Sequence, residues 1–326
     1  MKPLILLFLC FSVVRLNAQT TTPLKLIQTI PLPGVRGRFD HCAADPKGHR
    51  LFVAALGNNT LEVLDVAAGK RLKSIAGLRK PTGVVYLPEA NQLGVANGDD
   101  GAFKLFDAVS YGLAGSVRGL EDADNVRRDA KTGFIYVGYG AGALAILDRA
   151  GQKRLGEIKL SAHPESFQLE TAGPRIFVNV PDAKQVAMID RETRSVVGTW
   201  PSGVFQGNFP MALDEAGHRL FVGCRQPPRL AVLSTETTKL VADREISADT
   251  DDLFFDGKRQ RLYLSCGEGF LDVIQCGAEE RYERIAREPT RAGARTCFHS
   301  PDLDRLYLAV PQRGGEDAEL RIYEPE

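Results

Sequence analysis

One pattern constrains this chain more than any other: a short apolar block recurs along nearly its whole length. HRLFVA, NQLGVA, GFIYVG, PRIFVN, HRLFVG, QRLYLS and DRLYLA place equivalent residues at Leu51, Leu93, Ile135, Ile176, Leu220, Leu262 and Leu306, at intervals of 42, 42, 41, 44, 42 and 44 residues. A fixed period in this range means one supersecondary unit that buries its apolar face only against the next copy. Each block is followed by a turn and a second alternating run: LEVLD, FKLFD, LAILD, VAMID, LAVLS, LDVIQ and LRIYE. The pair reads as a β-hairpin. Another short segment precedes each hairpin, as in Cys42 to Gly48 with its turn Asp45-Pro46-Lys47-Gly48. A fourth follows it, as in Arg71 to Ala76, Arg154 to Leu160 and Lys239 to Ile246. Runs rich in Val, Ile, Leu, Phe and Tyr between Gly, Asp, Asn and Pro are strands. A βα barrel would need a helical period in every unit, and none is found.

Four strands per unit would suit an open solenoid as well as a closed ring. The ends of the repeat argue for closure. The seventh unit stops at Glu326 one strand short, while Leu24 to Leu32 (LKLIQTIPL) precedes the first unit and has the character of the missing strand. If it completes the last sheet, no apolar end is left open. The expected fold is therefore all-β: a seven-bladed β-propeller of four-stranded antiparallel blades, one domain over residues 19–326, fastened by residues 24–32.

The segment before it has a different design. Lys2, the apolar run Leu4 to Val14 and the small residue of Leu16-Asn17-Ala18 read as a signal peptide over residues 1–18, cut before Gln19. The run is about half the roughly 20 residues that span a bilayer. An exported protein, periplasmic or secreted, with no membrane span and monomeric, is expected. Lys plus Arg and Asp plus Glu each total 41, so the formal charge is zero and there is no basic footprint for nucleic acid. Cys10 falls in the apolar run, leaving Cys42, Cys224, Cys266, Cys276 and Cys297. This odd set has no CxxC or CxxCH spacing, which argues against thioredoxin-like chemistry and covalent haem and for small buried side chains.

Arg50 to Ile75 (RLFVAALGNNTLEVLDVAAGKRLKSI) and Arg175 to Trp200 (RIFVNVPDAKQVAMIDRETRSVVGTW) resemble the YVTN repeat of YncE-like seven-bladed propellers. The repeats of that family run in the order strand, Asn-containing turn, strand ending in Asp, Thr-Gly-Lys and fourth strand. The likeness extends over residues 24–326, with Ser234 and Gln275 standing where other units have Asp. It implies an extracytoplasmic binding protein.

Chemistry is sought where the units differ at equivalent, channel-facing positions. Five residues before the first turn of each unit lie Asp40, Thr82, Asp124, Glu165, Phe209, Asp251 and Arg295. Asn125 and Asn208 are one residue away, and Asp252 follows Asp251. Asp40, Asp124, Asn125, Glu165, Asn208, Asp251, Asp252 and Arg295 are thus the ligand-binding candidates. Asp40, Asp124, Glu165 and Asp251 are the candidate ligands of calcium or another divalent cation, which takes several oxygens. In position only, they resemble the metal-binding residues of gluconolactonase-like propellers. His49 and His218 share one GHR turn and read as repeat architecture. Strand alternation sets His41 and Asp40 on opposite faces, which argues against an acid–base couple. His163, before Pro164 and near Glu165, is the one histidine placed as a general base. Gly138, Gly140 and Ala143 match a dinucleotide fingerprint, but a strand rather than a helix follows, so they are turn residues. No GxSxG or P-loop occurs. The leading reading is a non-enzymatic propeller that binds a small molecule or a protein at its channel mouth. The alternative is a metal-dependent lactonase or esterase using the carboxylates.

Overall fold

Aspartates that punctuate the repeat set where its strands end. At the first turn of a unit, Asp45 Oδ1 accepts the Gly48 N–H (3.1 Å), Asp129 Oδ1 that of Lys131 (2.9 Å) and Asp214 Oδ1 that of Gly217 (3.0 Å). At the second, Asp65 Oδ1 takes Ala67 and Ala68 (3.1 and 2.8 Å), and Asp190 Oδ1 takes Glu192 and Thr193 (2.9 and 2.8 Å). A short side-chain acceptor that bonds the backbone two or three residues on replaces the ladder partner and turns the chain. Ser234 does the same through Oγ, accepting the Thr237 N–H at 3.2 Å. The residue near the end of the first turn is left-handed at His49, Asn91, Gly133, His218, Gln260 and Asp304. His49 and His218 therefore hold the turn position their repeat predicts.

The computed structural model describes residues 22–201, 203 and 206–326. The expected signal peptide, residues 1–18, lies outside them. The strands form seven four-stranded antiparallel sheets. In the first blade Cys42–Asp45, Arg50–Ala55, Thr60–Asp65 and Lys70–Ile75 run from channel to rim. The last blade is completed by the N-terminal strand: Leu24–Leu32 pairs with Ala318–Pro325, Leu24 opposite Pro325 and Leu32 opposite Ala318. Ile30 and Leu32 on that strand are fully buried.

The core lies between neighbouring sheets. Phe52, Leu61 and Val63 of the first blade pack with Leu93, Val95 and Phe106 of the second, and the other interfaces repeat this arrangement. Each such side chain contributes roughly 1.5–3 kcal/mol by leaving water. Outermost strands such as Lys70–Ile75 are largely exposed. Arg284, on the outermost strand Tyr282–Pro289 of the sixth blade, reaches inward to the buried Asp272 at 3.3 Å. Among the described residues, no helix is long and apolar enough to cross a membrane, and the five cysteines are free thiols.

One departure from regular strand geometry governs the channel. The innermost strands meet in a ring, Cys42–Asp45 touching both Pro81–Leu87 and Thr296–Ser300. Just before or within most of them, two residues oppose one on the neighbouring strand. The Asp40 N–H donates to Ala54 O (2.8 Å) and the Ala54 N–H to His41 O (3.1 Å). Asp124 and Asn125 bracket Gly138 in the same way, and Glu165 and Ser166 bracket Asn179. In the sixth blade the register slips between Thr250 and Asp252. These are β-bulges, which re-aim side chains locally.

Candidate ligand site at the channel mouth

Because of the bulges, successive residues face the same space. A cavity of about 220 Å³ is lined by Asp40 with His41, Asp124 with Asn125, Glu165 with Ser166, and Asp251 with Asp252. Thr82, Phe209 and Thr296 complete the inner ring, Arg38, Lys80, Asp122 and His163 enter from the loops above, and Arg225 reaches in from the end of the strand Arg219–Gln226. Past His41 and Asp252 the channel turns more apolar, bordered by Cys42, Val84, Val126, Phe254 and Phe298. The acidic side chains are gathered at one end, while Arg127, Arg128 and Gln168 border the other.

Six of the eight sequence candidates line this cavity, and two do not. Arg295 turns away to Asp249, with Nη1–Oδ1 at 2.8 Å and Nη2–Oδ2 at 2.7 Å. Its strand pairs regularly, Thr296 opposite Ala309, so no bulge is seen to redirect it. Asn208 is fully buried between the fourth and fifth blades, its Nδ2 donating to Asn179 Oδ1 (3.0 Å) and Gln185 O (3.1 Å).

The expectation that His41 and Asp40 sit on opposite faces is overturned. His41 Nε2 lies 3.4 Å from Asp40 Oδ1 and 3.9 Å from Asp124 Oδ1, and its Nδ1 is 3.6 Å from Asp252 Oδ1. Alternation is a rule for regular strands, and the Asp40–His41 bulge suspends it. His163 reaches the same carboxylate from the other side, with Nε2 3.9 Å from Asp124 Oδ2 and Nδ1 hydrogen-bonded to Gly140 O at 2.7 Å. Asp124 is backed by Gly83, whose N–H donates to Asp124 O at 3.1 Å. A Cβ at Gly83 would stand 2.2 Å from that oxygen, so only glycine allows the approach.

Electrostatics follow from this crowding. The Asp124 charge next to His163 raises that imidazole to about 9, against burial. Burial also opposes the His41 imidazolium, but Asp40, Asp252 and Asp124 outweigh it and lift the group to about 10. His163 therefore carries a proton at neutral pH in the cation-free cavity, which does not suit the general-base role expected for it. Asp124 is pushed up by burial and pulled further down by His163 and His41, ending below its usual range. Burial, then the Asp124 charge, take Glu165 to about 8. Asp251 is lifted by burial to about 7 although Arg225 resists. Carboxyl groups crowded this way cannot all ionise without a countercharge.

No protein-family model matches the sequence, and no curated protein sequence does. Solved structures do match its shape. A chain of hydrazine synthase from Kuenenia stuttgartiensis superposes with a TM-score of 0.75 at 16% identity, over 85% of this chain and 95% of that one. A chain of the mitotic checkpoint complex superposes with a TM-score of 0.77 at 13% identity, over 99% of this chain and 98% of that one. At such identities the likeness is one of fold.

Proposed function

We propose that the protein is an extracytoplasmic binding propeller of the YVTN-repeat, YncE-like type that takes a small cationic ligand into the acidic mouth of its channel. The observation that carries this reading is the charge inventory of the cavity. Six carboxyl groups line it, Asp40, Asp122, Asp124, Glu165, Asp251 and Asp252, against three permanent cations, Arg38, Lys80 and Arg225. Each cation is already paired, Arg38 with Asp40 (3.1 Å), Lys80 with Asp122 (2.9 Å) and Arg225 with Asp251. Asp124, Glu165 and Asp252 are left facing imidazoles, one another or, for Asp252 and Asp124, the buried Arg127. The excess over the permanent cations is met by protons on His41, His163, Glu165 and Asp251, and a cation entering this concave, low-dielectric site takes their place. The resemblance of the repeats and the expected signal peptide support a place outside the cytoplasm.

The test is the thermal midpoint of the purified protein against divalent metal chlorides, putrescine and succinate. A cation that binds should stabilise by about 2.7 kcal/mol at a hundredfold excess over its dissociation constant, and Asp124→Asn should abolish the response. A rise with succinate and none with any cation would overturn the reading.

A metal-dependent hydrolase of lactones or esters is a second reading, favoured by one observation. Glu165, raised to about 8, adjoins Asp124, which is held low. Neighbouring carboxyl groups with separated pKa values can serve as acid and base. Turnover of a γ-lactone or aryl ester that Glu165→Gln abolishes would support it, and inactivity across metals would remove it.

A further inference from the structure

We propose that the channel mouth holds two divalent first-row transition-metal ions bridged by Asp124, one also bound by Asp40 and His41 and the other by His163 and Glu165. The inference rests on the cationic-ligand reading above and names the ligand. The ligand atoms of Asp40, His41 and Asp124 all lie within 4.8 Å of one another, and so do those of Asp124, His163 and Glu165. The two trios share one carboxylate and divide it. Asp124 Oδ1 faces His41 Nε2 and Asp124 Oδ2 faces His163 Nε2, each at 3.9 Å. That separation is long for a hydrogen bond. It is the spacing of neighbouring donors in a coordination shell, since two atoms each roughly 2.0–2.2 Å from one ion stand about 3–4 Å apart.

Both imidazoles are set for ligation by what holds their other nitrogen. His163 Nδ1 is bound to Gly140 O at 2.7 Å, which fixes the tautomer and leaves Nε2 as the lone-pair donor. His41 Nδ1 faces Asp252 Oδ1 at 3.6 Å, and Asp252 is itself anchored by the Cys297 N–H on Oδ2 at 2.9 Å. Metal-binding histidines almost always have such a carbonyl or carboxylate behind them. A further, independent sign is Asn125. Its side chain is buried to 2% exposure on the cavity wall, and its Oδ1 has no hydrogen-bond partner among the described residues. A buried amide oxygen without a partner calls for a donor or a cation.

The donor set selects the ion. Calcium, expected from an oxygen-only ring, prefers six to eight hard oxygens. Two imidazoles among three carboxylates suit zinc, manganese, iron or cobalt instead. Three protein ligands per ion leave positions open for water or a bound molecule, as in reactive rather than structural sites. Asp251 is outside the set because its carboxylate falls in neither trio.

The experiment is a titration of the metal-free full chain with Co²⁺, followed by visible absorption, with zinc and manganese content of the native protein read by elemental mass spectrometry. Two equivalents are expected. His41→Ala and His163→Ala should each retain one, Asp124→Asn none, and Asp252→Asn should bind at the His41 position about 10–100-fold more weakly. Far-UV circular dichroism of each variant checks folding, and Asp124→Asn, being isosteric, keeps the comparison valid if an alanine variant unfolds. Absence of cobalt binding, a single equivalent lost equally in both histidine variants, or full binding in Asp124→Asn would overturn the proposal. Putrescine binding that Asp124→Asn abolishes, with no cobalt binding, would leave the cationic-ligand reading standing and remove the metal pair alone.

Discussion

Replacing Asp251 by Asn should make the cation-free protein more stable at alkaline pH and leave it unchanged at acid pH. The Asp251 carboxyl is 22% exposed, accepts a hydrogen bond from Arg225 Nη2, and is raised by burial from 3.8 to about 7 despite that partner. The sign follows from linkage. Below the unfolded value the group is protonated in both states and carries no penalty. Between 3.8 and about 7 the unfolded chain ionises while the folded one does not, so stability falls as pH rises. Above the folded value the loss is complete. Roughly three units at about 1.4 kcal/mol each give a loss on the order of 4 kcal/mol. Asn keeps the oxygen that accepts from Arg225, and the Arg225 Nε bond to Thr250 O (2.9 Å) remains. With an unfolding entropy of about 0.6 kcal/mol/K for roughly 300 residues, the midpoint difference between variant and parent should widen by about 6 °C from pH 4 to pH 8. Differential scanning calorimetry in the presence of a chelator measures it. A difference independent of pH, or a variant less stable than the parent at pH 8, would refute the claim that this carboxyl is held above its ordinary range.

Other outcomes are as specific. Ile30→Ala should cost about 2–5 kcal/mol in urea unfolding, because Ile30 is fully buried on the fastening strand, and deletion of residues 24–32 should abolish the single cooperative transition. Gly83→Ala should weaken cation binding by calorimetry without altering a ligand, since the new methyl displaces the Asp124 backbone. Asp272→Ala should cost about 3–5 kcal/mol, because this buried carboxylate accepts the Ser247 N–H (2.6 Å) and hydroxyl (2.9 Å) and meets Arg284. N-terminal sequencing of protein recovered from an exported fraction should begin at Gln19, and an intact Met1 on soluble cytoplasmic protein would refute export.

The sequence by itself determined the ring. The period of the apolar blocks set the number of blades, the aspartates of the repeat set their turns, and the unpaired apolar strand Leu24–Leu32 set the closure. These are local signals repeated many times, so one degenerate copy such as Ser234 is outvoted by the rest. Counting back from the turns also brought Asp40, Asp124, Glu165 and Asp251 to one level of the channel, because equivalent positions in a rotational repeat lie on a circle. The composition of the site was decided only in three dimensions. Alternation sets His41 on the face opposite Asp40, and the bulge that reverses this is a two-against-one pairing with Ala54 that leaves no mark in the residues themselves. The place of His163 near Glu165 is legible in the chain, but its orientation by Gly140 and its approach to Asp124 belong to a loop folding over a neighbouring blade. Arg295 and Asn208 satisfied the same count and were drawn off by Asp249 and Asn179. A repeat dictates where backbones go because every copy obeys the same pairing. Which side chains meet depends on one-residue irregularities and on contacts between blades, where each position differs and has no second copy to confirm it.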